Sequence, residues 1–190
     1  MFAFVAVLAI AVGACLGGKI ARLGDVEIPR FRFLLASLVC GAVLALPVFQ
    51  SAPADLNLPF LITLLSYGFL FYSLFPSLHL PGLKCVGVGA LMNFLVETAN
   101  RGRMPVSLAG FPEDVVSAEL QKLAHSLTHQ PIGPHTRLVF LADLYRFRLP
   151  GLRSSMFSLG DAVLGIGIAW FIISVMVRGF PQSSVDGSID

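Results

Sequence analysis

Gly89, Asn93, Glu97 and Asn100 follow one another at intervals of four, four and three residues. In a helix this spacing stacks them on one face. A carboxylate between two amides could form a polar pocket for a lipid headgroup, an ion or a partner. Arg101 and Arg103 come directly after, within the stretch E-T-A-N-R-G-R-M-P-V that runs from Glu97 to Val106. Two readings stand side by side. In one, Asn93, Glu97, Asn100, Arg101 and Arg103 form a polar binding pocket. In the other, Glu97 lies at a membrane interface and pairs locally with Arg101. Either way, a carboxylate in or near lipid is costly and needs a partner.

Three other sets of residues have types that bear on chemistry. Ser158 and Asp161, three apart before an apolar run, have the form of a helix cap with the acid near the positive helix end. A structural role is expected there. His125 and His129, four apart, could present two imidazoles to zinc. The residues between them, Ser126, Leu127 and Thr128, supply no glutamate base of the H-E-x-x-H kind. A solvated or interfacial helix face is therefore expected rather than a metal centre. Cys15, Cys40 and Cys85 form no C-x-x-C pair and read as small buried residues.

The absences narrow the chemistry. No G-x-S-x-G and no phosphate-binding glycine loop occurs. The first, second, fourth and fifth apolar segments hold no histidine, which argues against a haem held by two imidazoles. The sequence identifies no cofactor.

The elements that must position these residues are apolar. Of 190 residues, 56% are hydrophobic and 13% charged, with a mean hydropathy of +0.82. So few charges cannot cover that much apolar surface in water. The net charge of +2 gives no reason to expect a nucleic-acid partner. The expected fold class is an all-α integral membrane protein, a bundle of about five transmembrane helices. The apolar segments run at 2–18, 33–49, 58–75, 83–99 and 159–177, as a single domain over 1–178 with a flexible tail at 179–190. Pro47 predicts a kink or stop near the end of the second segment. Thr63, Ser66 and Ser73 fall near one side of the third, as packing contacts or, alternatively, as the lining of a cavity.

Residues 100–158 form the long connection between the fourth and fifth segments. Pro112–His129 reads as an amphipathic helix, with Val116, Leu120, Leu123 and Leu127 on one face. Leu138–Leu144 is apolar but too short to span. Tyr145, Arg146, Arg148 and Arg153 suit contacts with lipid headgroups. The connection is expected to lie on the membrane or dip into it. Positive charges are nearly balanced between the two sides, and the basic residues after the first segment favour an outside N-terminus.

Asn100-Arg101-Gly102-Arg103-Met104-Pro105-Val106 resembles the N-G-G-x-M-P-V signature of a bacterial membrane family, domain of unknown function 5317. The resemblance continues through Thr136-Arg137-Leu138, Leu141-Ala142-Asp143 and Phe157-Ser158-Leu159-Gly160-Asp161. Arg101 stands where the family pattern has Gly, and Ala142 where it has the Gly of L-G-D. The first departure puts a backbone-only role for that position in doubt. The resemblance implies a helical membrane fold in a bacterial cytoplasmic membrane and supplies no activity. The expected function is that of a non-enzymatic accessory or structural subunit of a larger membrane complex, in contact with membrane lipids. The alternative is a small transporter or headgroup-binding protein with its pocket at the end of the fourth segment. A membrane enzyme acting on lipid-linked substrates is a third possibility.

Overall fold

The computed structural model describes residues 1–44, 46, 57–147 and 155–179. Pro47, Arg148, Arg153 and the tail from 180 onward lie outside the described residues.

Helix α1 spans Phe2–Cys15. It stops short of the expected boundary because Gly17 takes a left-handed φ of 78° and turns the chain. Helix α2 runs over Phe31–Leu44 and α3 over Leu58–Leu74, opened by Pro59 where a missing N–H costs nothing. Helix α4 covers Leu83–Ala99. A short helix, α5, spans Glu113–Ala124, and α6 runs from Leu159 to Arg178. The chain is mostly helical, as expected. Among the described residues, two helical stretches are long and apolar enough to cross a membrane, Leu58–Ser77 and Leu159–Arg178, at 20 residues each. Helices α1 and α2 are apolar but have 14 residues each.

The apolar helices pack as a row of neighbours, α1–α6–α4–α3–α2. The α4–α6 seam is built from small residues. A Cβ placed on Gly89 would lie 2.5 Å from the Gly160 carbonyl oxygen and 2.6 Å from the Leu164 nitrogen. Backbone therefore meets backbone, a contact that only glycine permits and that apolar helices use in place of a hydrophobic driving force. At the far end of α6, Arg22 Nη1 donates to the carbonyls of Met176 and Val177 at 2.8 and 2.6 Å. These carbonyls have no partner within the helix.

The long connection is more structured than its sequence predicts. Strand β1, Met104–Val106, pairs in parallel with β2, His129–Pro131, and α5 is the crossover between them. Strand β3, Tyr145–Phe147, pairs antiparallel with β4, Ser155–Phe157. The connection docks on the end of α4 through a small core of Val96, Met104 and Leu141. The short apolar run at 138–144 is thus a tertiary anchor, with a 3-10 turn at Val139–Leu141.

The amphipathic helix ends earlier than expected. It stops at Ala124 with His125 as its C-cap, and His129 belongs to β2. The two histidines are therefore not one helical turn apart.

Candidate functional site

Five elements of the row meet around a cavity of about 510 Å³ at the end of α4. Phe2 of α1, Ser37 and Leu44 of α2, Thr63 and Tyr67 of α3, Asn93 and Glu97 of α4 and Asp161 of α6 all line it. The connection closes it with Gly102, Met104, Thr128, His129 and Asp143.

Each polar group arrives by a local device. Ser158 caps α6: its hydroxyl accepts from the Asp161 N–H at 3.0 Å, and the Asp161 carboxylate accepts from the Ser158 N–H at 3.2 Å. Asn93 joins this cap to α4, donating from Nδ2 to Asp161 Oδ1 at 2.8 Å and accepting from the Ser158 hydroxyl at 2.9 Å. Ser158 is fully buried and Asn93 nearly so. A closed ring of partners lets these polar groups sit inside an apolar bundle. Sequence separated the cap from the pocket; the fold makes them one network.

Glu97 accepts from the Tyr67 hydroxyl at 3.0 Å. The expected local pair with Arg101 is not formed. The reason lies in how α4 ends. The Gly102 N–H bonds the Glu97 carbonyl at 2.7 Å and the Arg101 N–H bonds Thr98 at 3.3 Å. This is a Schellman turn, with Arg101 at its left-handed position, φ 59°. The turn leaves Arg101 exposed, and neither Arg101 nor Arg103 lines the cavity. Gly102 lies so close to α3 that a Cβ there would meet the Phe60 nitrogen at 2.5 Å.

Asn100 has a different task from the one its spacing implied. Its amide donates to the Val96 and Arg137 carbonyls at 2.7 and 2.9 Å and accepts from the Arg137 N–H at 3.0 Å. It stitches the connection onto α4 and stays outside the cavity. Of the five pocket candidates, the structure brings Asn93 and Glu97 to the cavity and puts Asn100, Arg101 and Arg103 elsewhere.

Two residues were missed. Tyr67 was legible only as one more hydroxyl-tipped side chain on the third segment. Thr63, Ser66 and Tyr67 all reach the cavity, while Thr63 also donates to the Gly102 carbonyl at 3.3 Å and Ser66 to the Ser37 carbonyl at 3.0 Å. Asp143 was visible only within the L-A-D of the family resemblance. It is held beside β1 by two backbone bonds, from its N–H to Pro105 at 2.9 Å and from the Ser107 N–H to its carbonyl at 3.0 Å. The residue is 6% exposed, and Oδ1 has no hydrogen-bond partner among the described residues. Burial, and then the negative charge of Asp161, push its carboxyl up to about 7. Burial lowers the His129 pKa, an effect that Asp161 opposes.

The remaining candidates are more dispersed. His125 is exposed, and His129 Nδ1 lies 2.8 Å from the Thr128 hydroxyl. Among the described residues no three histidine, cysteine or acidic side chains are close enough to hold a metal ion. Tyr145 stacks near Phe157 with ring centroids 5.5 Å apart, and the Arg146 guanidinium lies 3.5 Å from the centre of the Phe111 ring.

A family model described as a family of unknown function, DUF5317, matches residues 25–173. An uncharacterized protein of Thermotoga maritima is 28% identical over 109 residues, which cover 57% of this chain and 61% of that protein. No solved structure matches the chain.

Proposed function

The chain belongs to DUF5317, a family of unknown function, and from that starting point we propose a multi-pass protein of a bacterial cytoplasmic membrane that binds a small solute in the cavity at the end of α4. Transport or solute binding is favoured over lipid-headgroup binding, because the two arginines that would recognise a phosphate stay outside the cavity. The observation that carries the reading is the cavity itself. It has the volume of a small-molecule site, and three acids and the Asn93 amide, from two helices and the connection, converge on it. Ionisable side chains inside an apolar bundle are functional candidates by default.

Membrane spanning is supported by the two long apolar helices and by large apolar side chains left exposed along these and the shorter helices. Val7, Leu38, Val39, Leu61 and Ile166 are each at least 60% exposed, an arrangement that lipid accommodates and water does not. In this reading all five apolar helices span, the shorter two with local thinning of the bilayer.

The test is gentle purification of the full chain from its native membrane, followed by mass spectrometry of everything that accompanies it. A small molecule present near one per chain, and lost in Glu97→Gln without loss of membrane insertion, is the expected outcome. A stoichiometric protein partner and no small molecule would instead make the chain an accessory subunit.

A further inference from the structure

We infer that the solute is an organic cation, an amine-bearing molecule whose charge is met by Asp143. This rests on the cavity being a solute site. Three carboxylates line it, Glu97, Asp143 and Asp161, and no lysine or arginine does among the described residues. Two of the three are already engaged: Glu97 by the Tyr67 hydroxyl, and Asp161 by Asn93 and its own helix cap. Asp143 is different. It is almost wholly buried, its backbone is fixed on both sides, and it lines the cavity while its Oδ1 has no hydrogen-bond partner among the described residues. Leaving a buried acceptor unsatisfied is destabilising. An N–H donor carrying positive charge supplies the missing hydrogen bond and offsets the surrounding negative charge together.

The size and lining of the cavity specify the cation further. About 510 Å³ is far more than a bare ion needs, and the acids are too dispersed for three of them to share one metal. Two aromatic residues, Tyr67 and Phe2, also line it, which favours an organic ammonium. Asp143 and His129 also line a second cavity of about 1000 Å³, formed by α5 and the strands. A cation arriving from the connection side therefore meets Asp143 without first passing through the apolar helices.

Three probes of one shape and different charge test this on the purified full chain: benzylamine, benzyl alcohol and benzoate. In mildly alkaline buffer the amine is still protonated and Asp143 is ionised. The expected result is that benzylamine alone binds and raises the melting temperature, and that Asp143→Asn weakens its affinity at least tenfold. Equal or tighter binding of benzoate or benzyl alcohol overturns the inference and leaves the solute site standing. Unchanged amine affinity in a monodisperse Asp143→Asn protein overturns the role of Asp143. If that variant does not fold, the three-probe comparison on the natural sequence still decides the charge preference. If none of the three binds, the inference fails; if no small molecule co-purifies either, the solute site fails with it.

Discussion

Helix α4 meets its neighbours in two different ways. At Gly82, its N-cap, and at Gly89 it meets α6 backbone against backbone, with no room for a Cβ at either position. From Asn93 to Asn100 it borders a cavity on one side and the docked connection on the other. The first half is held by close packing, which tolerates no added volume. The second is held by paired polar groups, with space left between them. Tight packing fixes where α6 begins relative to α4, so that Ser158 and Asp161 arrive opposite Asn93. The seam therefore sets the geometry of the site without contributing chemistry to it.

The largest expected effect comes from breaking the seam. Gly89→Val forces new atoms onto the backbone of Gly160 and Leu164, neither of which can rotate away. Overpacking costs about 1–3 kcal/mol where side chains can shift; here about 3 kcal/mol or more is expected, seen as loss of monodisperse protein or a lowered melting temperature. Gly68→Ala is the control. Nothing lies within 4 Å of a Cβ at Gly68, and its melting temperature should be unchanged or slightly higher.

The cavity half responds to pH instead. Asp143 titrates near 7 in the folded chain and near 4 when unfolded. Between those values the folded state holds a proton that the unfolded state has released. The Asp143 contribution to stability is therefore full below about pH 4 and is lost as pH rises through about 7. His129 acts in the opposite sense, since its depressed pKa favours the folded state as pH rises. Melting temperatures of the natural chain and Asp143→Asn across this range separate the two. The variant should lose the Asp143 decline and be the more stable above neutrality; parallel curves would mean that Asp143 is not perturbed by burial.

The smallest effect sharpens the boundary between the halves and the connection. Arg101 holds a left-handed conformation at the end of α4, where a side chain costs about 1 kcal/mol relative to glycine. Arg101→Gly should stabilise the chain by up to about that amount and leave cavity binding unaltered, because Arg101 does not line it. Reduced solute affinity would bring the arginine back into the site. The departure from the family pattern at this position thus falls on a backbone conformation that glycine fits best.

Composition and local spacing determined that the chain is built from apolar helices, that Asn93 and Glu97 share a face, and that Ser158 and Asp161 open the last helix. These properties depend on residues within a turn or two of one another, so a linear reading reaches them. Only the tertiary structure decided the partners. Tyr67 meets Glu97 across 30 positions, Asn93 meets Asp161 across 68, and Asn100 meets Arg137 across 37. It also excluded the arginines, because the left-handed turn at Arg101 leaves that residue exposed and neither arginine lines the cavity. It separated the histidines, because α5 stops at Ala124 and the chain joins a strand. The acidic character of the cavity emerged the same way: a parallel bridge from Val106 to Asp143 places a carboxylate from the connection beside acids from two helices. Helical periodicity is local, whereas the charge of a cavity is a sum over segments that only folding brings together.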